Sequence, residues 1–263
     1  MFYFVKRDFQ IQVSYKMSFI FSWWGMVVNI LTFFFLSKLF GNRINPYLED
    51  YGGSYFPFVL IGLAFSQYIS TALSSFSSSI RQEQMLGTLE YILVSKARLS
   101  TVILGSSIWR FTFSSINIIV YFLVGILLAG NFFNANWILV FFILFLTILI
   151  FSSIGIMSAG FIIVFKQGNP IQWLMGIFSG LFGGVYYPIT VLPEKLQWIS
   201  HLLPITYSLR AARYALLQNY SFYQVFYDII ILSGFAILLF PTSLLFFKFA
   251  VREAKKTGSL GHY

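Results

Sequence analysis

The sequence predicts an all-α membrane protein with six transmembrane helices. An N-terminal amphipathic helix lies on the membrane surface, and short re-entrant extracellular helices stand between spans five and six. Three observations carry this prediction. The stretches Tyr51–Ile80, Phe111–Phe165 and Ile171–Pro193 contain no charged residue. Apolar residues make up 58% of the chain and charged ones 10%, against about 25% charged in an ordinary soluble domain. A bilayer core about 30 Å thick needs roughly 20 apolar helical residues to cross it, and each stretch is long enough. Residues 1–263 read as one transmembrane domain, with no room for a sizeable extramembrane unit.

Residues 1–16 read as the surface helix, because Phe2, Val5, Phe9 and Val13 recur at helical spacing while Lys6, Arg7 and Gln10 lie elsewhere on the wheel; the alternative is the ragged start of the first span. The first span, about 17–39, is too long for the apolar core of a cleavable signal peptide, and no small-x-small cleavage site ends it. Residues 40–54 form a polar loop with Gly41, Asn42, Pro46, Gly52 and Gly53. The second span, about 55–80, has a serine-rich second half (Ser70, Ser74, Ser75, Ser77, Ser78, Ser79). Such serines suit close helix approach and interhelical hydrogen bonds; a polar transport path is the alternative. Arg81 to Arg98 is the main charged loop.

The third span is about 101–129. Gly130, Asn131, Asn134 and Asn136 separate it from the fourth, about 137–165. The Lys166-Gln-Gly-Asn-Pro170 turn introduces the fifth span, about 171–189. Tyr187 to Gln218 is too broken by Pro188, Pro193 and Pro204 to cross the membrane, so short helices dipping into one leaflet fit it better. The sixth span, about 227–247, ends at Lys248, Arg252, Lys255 and Lys256.

Charge sets the expected orientation. The net charge is +9, and six spans place both termini, the Arg81–Arg98 loop and Lys166 on one side. That side collects most of the lysines and arginines, whereas the other offsets Lys38, Arg43, Lys195, Arg210 and Arg213 with Glu49, Asp50, Glu194 and Asp228. Both termini are therefore expected in the cytoplasm of a multi-pass cell-membrane protein. The basic balance follows this bias and does not imply nucleic acid. Trp23, Trp24, Trp137 and Trp173 fall near predicted span ends, at headgroup level.

Several chemistries are excluded. There is no cysteine, and His201 and His262 are far apart, so thiol nucleophiles and metal-ligand spacings are missing. No segment matches the phosphate-cradling G-x-x-x-x-G-K-[ST] loop or H-E-x-x-H. No pair of intramembrane carboxylates could relay protons. Arg110, three turns after Arg98, is expected to snorkel to the cytoplasmic headgroups, with a place along a substrate path as the alternative.

Three segments carry a resemblance. Gln82-Glu-Gln-Met-Leu-Gly-Thr-Leu-Glu-Tyr-Ile-Leu-Val-Ser95 resembles the G-T-L-E-x-[IL]-L segment of type-2 ATP-binding-cassette (ABC) exporter permeases. Gly184-Val-Tyr-Tyr-Pro-Ile-Thr-Val-Leu-Pro-Glu-Lys-Leu-Gln-Trp-Ile199 resembles their G-x-x-[FY]-P-x-x-x-L-P-x-x-L stretch. Leu203-Pro-Ile-Thr-Tyr-Ser-Leu-Arg-Ala-Ala-Arg213 resembles the L-P-x-T-Y-x-x-x-x-x-R run that follows. Order, spacing and the six-span frame match over essentially the whole chain.

The resemblance implies a permease subunit of an ABC exporter. Two such chains, identical or different, form the pathway. A separate cytoplasmic ATPase binds ATP and magnesium, so this chain is not itself an enzyme and binds no cofactor. The ATPase-coupling loop would comprise Arg81, Glu83, Leu86, Gly87, Thr88, Leu89 and Glu90. The extracellular re-entrant region would comprise Pro188, Leu192, Pro193, Pro204, Tyr207 and Arg213, capping the outer end of the pathway. For Arg210 and Arg213 themselves, headgroup anchoring of a surface helix is the expectation. Lys6-Arg-Asp-Phe9 resembles the start of the R-D-[LF]-x-x-[RK]-[YF] stretch of lipid-linked glycan exporters, and Ser14-Tyr-Lys16 departs from it. The cargo is therefore an amphipathic small molecule, a lipid or a lipid-linked glycan. The alternative is a membrane scaffold or assembly subunit that moves nothing and needs no coupling loop.

Overall fold

The computed structural model describes residues 9–10, 16–88, 91, 99–165 and 169–256. Among them the regular structure is entirely helical: α1 Lys16–Phe40, a 3-10 segment Gly41–Tyr51, α2 Tyr55–Met85, α3 Leu99–Ala129, α4 Trp137–Phe165, α5 Pro170–Phe182, a 3-10 turn Ile189–Val191, α6 Glu194–Leu202, α7 Pro204–Leu217 and α8 Phe226–Lys256. Five of these helices (α1, α2, α3, α4 and α8) are long and apolar enough to cross a membrane. The protein is a multi-pass membrane protein. The expected surface helix lies outside the described residues apart from Phe9 and Gln10; the Phe9 ring stands edge-on to Trp109, centroids 5.3 Å apart.

Three boundaries differ from the sequence expectation. α2 does not stop at Ile80 but runs on through Arg81, Gln82, Glu83, Gln84 and Met85. Arg, Gln, Glu and Met are all good helix formers, so nothing halts the helix where charge begins. α8 likewise continues through Lys248 and Arg252 to Lys256. In place of a span over 171–189, α5 has 13 residues and ends at Phe182. At 1.5 Å per residue that is about 20 Å of helix, short of the hydrocarbon thickness.

α4 is the central helix, packed against α2 on one side, α8 on the other, and α7 at one end. α2 is the most enclosed of the five, with 67% of its most apolar stretch buried. α1 is its opposite at 11%: it touches α2 and α3 along a narrow seam and presents Phe21, Trp24, Val28 and Phe35 outward. Of the α2 serines, Ser77 bonds another helix, whereas Ser74 and Ser79 donate to carbonyls of their own helix, and Tyr68 and Thr71 supply the other interhelical bonds. Tyr68 hydrogen-bonds Ser115, Thr71 Oγ1 donates to Ser114 Oγ at 3.2 Å, and Ser77 Oγ accepts from Asn169 Nδ2 at 2.9 Å.

Candidate functional site

Two clusters at opposite ends of the bundle, with cavities between them, hold the residues that the sequence singled out. At the first, α2 ends in a Schellman motif. Gly87 N–H donates to Gln84 O at 3.0 Å and Thr88 N–H to Glu83 O at 3.0 Å. Gly87 adopts φ +68°, the left-handed geometry that this motif needs and that glycine enters without penalty. The Thr88 hydroxyl also donates to the Glu83 carboxylate, and Glu83 is buried. Arg81 is exposed. Met85 and Leu86 are 80% and 64% exposed, so two apolar side chains stand out at the tip of a helix of 31 residues. The helix measures about 46 Å, longer than a bilayer core of about 30 Å is thick. Leu89 and Glu90 lie outside the described residues.

Beside this tip, Asn169 caps α5. Its side-chain oxygen accepts from Gln172 N–H at 3.1 Å and from the Ser158 hydroxyl of α4, while its amide donates to Ser77 of α2. One side chain thus ties three helices. In the sequence only the Asn-Pro pair, a helix-start signal, marks it. Arg110 is half-buried, and its Nη1 donates to Ser75 O of α2 at 3.4 Å.

The second cluster is a cap built from the segment between α5 and α8. Pro188 precedes the 3-10 turn, Leu192 ends it and accepts from Gln197 Nε2 at 2.9 Å, Pro193 precedes α6, and Pro204 occupies the first turn of α7. Tyr207 is buried and donates to His201 O at 2.9 Å, locking α6 onto α7. The far end of α7 is tied to the α3–α4 turn by Asn136 N–H to Ala215 O, 2.9 Å, and to the Gly41–Tyr51 segment by Gln218 Nε2 to Asp50 O, 2.7 Å.

Arg213 is the centre of this cap, and it is not a headgroup anchor: it is 2% exposed. Nε donates to Phe58 O at 3.1 Å, Nη1 to Gly184 O at 2.8 Å and Nη2 to Val185 O at 3.0 Å. The guanidinium also lies 3.4 Å over the Phe58 ring. Burial pulls its pKa down to about 9, which leaves it cationic at neutral pH. The fork joins α7, the start of α2 and the loop after α5. Gly62 makes the fit possible, since a Cβ there would meet Val185 O at 2.3 Å and Arg213 Nη2 at 2.8 Å. Arg210 is not a headgroup anchor either. It makes a bidentate pair with the buried Asp228 of α8, with Nε 3.0 and 3.2 Å from the two carboxylate oxygens.

Between the ends, a cavity of about 210 Å³ runs between α2 and α5. Ser66, Ser70, Gln172 and Ser179 give it a polar wall, and Val185 and Ile205 of the cap close it. α2 therefore runs from the α6–α7 cluster, past a partly polar hollow, to a tip that carries two exposed apolar side chains. No group of three or more metal-ligating side chains occurs among the described residues.

A family model described as "ABC-2 type transporter" matches residues 2–217, ending on the last residue of α7. The chain is 28% identical over 191 residues to the inner membrane transport permease YadH of Escherichia coli K12, an alignment that covers 71% of this chain and 72% of the relative. The permeases of the same name from Escherichia coli O157:H7 and Shigella flexneri match to the same extent.

Proposed function

This chain belongs to the ABC-2 type transporter family, and from that premise we propose that it is the permease subunit of an exporter. It moves an amphipathic small molecule, a lipid or a lipid-linked glycan out of the cytoplasm, using ATP hydrolysed by a separate ATPase subunit. Two copies, or this chain and a second permease, form the pathway. Both termini and the tip of α2 face the cytoplasm, the α6–α7 cap faces outward, and the short α5 completes the sixth crossing together with the loop that follows it.

The observation that carries this reading is the tip of α2. Met85 and Leu86 stand exposed on a helix held in one conformation by its Schellman motif and by Glu83–Thr88. A helix can pass on a partner's movement only if its end is gripped, and exposed apolar side chains beside Arg81 suit a groove on a cytoplasmic ATPase. Leu89 and Glu90 extend the same segment in sequence. α2 then runs the length of the bundle to Phe58 and Gly62, where Arg213 holds the cap. Movement of α2 would thus reach the outer end of the pathway directly. The cavity between α2 and α5 supports a cargo route along this helix.

The test is to purify the chain with its cognate ABC-type ATPase and measure hydrolysis. The complex should hydrolyse ATP in response to cargo, screened from lipid and metabolite fractions, and the chain alone should not. A permease that neither retains the ATPase nor alters its rate would favour a membrane scaffold.

A further inference from the structure

A second cavity, of about 320 Å³, lies between α1, α2 and α3 and meets the α2–α5 hollow at Ser66, which lines both. Its polar lining is Ser22 and Asn29 of α1, Ser66 and Gln67 of α2, and Asn117 and Tyr121 of α3. Asn117 sits ten residues into the apolar Ser107–Ala129 stretch, about 15 Å along the helix, so the cavity is at mid-membrane depth. Polar side chains there are costly and mark function. Asn117 is 5% exposed, and its side-chain oxygen has no hydrogen-bond partner among the described residues; neither has the buried hydroxyl of Ser66. A buried carbonyl without a donor loses its full desolvation free energy, so this acceptor calls for one.

The chemistry of the lining selects the ligand. No charged side chain lines the cavity, so an anion or cation would enter without a counter-charge, which is strongly unfavourable in such surroundings. An uncharged donor suits it. The cavity opens through α1, where Ser22, Gly25 and Asn29 are exposed beside the apolar Phe21, Trp24 and Val28. A ligand there would have its polar end inside and its apolar end among lipid chains. A volume of about 320 Å³ is at the small end of ligand sites, which begin at about 300 Å³, and holds a glycerol- or sugar-sized head. We propose that this cavity is a binding site for the uncharged, hydroxyl-bearing head of an amphiphile, with the Asn117 side-chain oxygen accepting a hydrogen bond from a head hydroxyl and Ser66 completing the contact. The claim concerns binding alone and stands or falls without the ATPase.

The full chain in lipid nanodiscs is irradiated with a monoacylglycerol that carries a diazirine near its head, and the crosslinks are mapped by mass spectrometry. A lysophosphatidic acid with the same chain and diazirine is the charged control. The monoacylglycerol should label the peptides around residues 22–29, 63–67 and 117–121 saturably, and unlabelled monoacylglycerol should compete. Gly25→Phe places its ring at the opening, where a Cβ meets no atom within 4 Å, so labelling should vanish while the melting temperature holds. Asn117→Leu and the smaller Ser66→Ala should each raise the half-saturating concentration by about tenfold, the loss of one buried hydrogen bond. Three results would each overturn the assignment. One is labelling that does not saturate at these segments. Another is equal labelling by the phosphate-headed probe. The last is wild-type half-saturation in whichever of the three variants fold.

Discussion

Replacing Arg213 by lysine should loosen the cap far more than a conservative exchange of cations suggests. The guanidinium reaches three carbonyls through three different nitrogens, at 3.1, 2.8 and 3.0 Å. Lysine keeps the charge but concentrates its donors on one atom, which cannot lie near Phe58 O on one side and both loop carbonyls on the other. One or two charge-assisted bonds are lost, at about 1.5–3 kcal/mol each, for a total of about 1.5–6 kcal/mol. In a chain of 263 residues this lowers the melting temperature by roughly 3–24 °C. The assay is thermal unfolding of the detergent-purified chain followed by fluorescence size exclusion. Gly62→Ala supplies an internal control, because its new methyl group would press on Val185 O and on Arg213 Nη2. With the guanidinium gone part of that conflict disappears, so the double variant should be more stable than the sum of the single losses predicts. Melting within a degree or two of wild type for Arg213→Lys, or strict additivity with Gly62→Ala, would refute the fork.

The remaining predictions use the other ties. Asp228→Ala strands Arg210 in a half-buried site and should cost about 3–5 kcal/mol; the joint change Arg210→Met with Asp228→Leu should recover most of that, read by the same melting assay. Asn169→Ala removes a helix cap and two contacts to other helices, and should cost more than the roughly 1 kcal/mol of an isolated cap; a smaller loss would mean that α5 is held by other contacts. In this cysteine-free chain, an impermeant thiol reagent applied to intact cells should label Asn45→Cys and leave Ser259→Cys unlabelled, and the reverse pattern would invert the orientation.

The sequence made the long helices legible because a run of some 20 uncharged apolar residues has few uses outside a bilayer. It was less informative at helix ends. Charge after Ile80 reads as a loop, yet Arg81 to Met85 are good helix formers and the stop comes only at Gly87, where φ must turn positive. The Gly183-Gly184 pair was visible, but the apolar run through Val185 to Pro193 masked the end of α5 at Phe182. Pro188, Pro193 and Pro204 fall at the starts of the 3-10 turn, α6 and α7. The burial of Arg213 was not legible, because an arginine on a short amphipathic helix has the same local pattern whether it meets headgroups or carbonyls. A partial signal was present: Ala211, Ala212, Ala215 and Leu216 around it are all buried, and a helix apolar on so many sides has little face left for water. The partners themselves, Phe58 from 155 positions away and Gly184 from 29, depend on how α2 and α7 cross. For the same reason Arg210–Asp228 and the roles of Asn169, Gly62 and Asn117 could not be read from spacing.

The central claim is that an ATPase grips the tip of α2, and Leu86→Asp tests it most directly. Leu86 is 64% exposed and its backbone N–H is held by Gln82 O, so an aspartate there should leave folding and membrane insertion intact. In a docking groove the same carboxylate would be buried without a partner, which costs several kcal/mol. Tagged wild-type permease should retain the cognate ATPase through purification and stimulate its hydrolysis. Leu86→Asp, at equal membrane level and equal melting temperature, should lose both. Retention and stimulation at wild-type levels by Leu86→Asp would contradict the account.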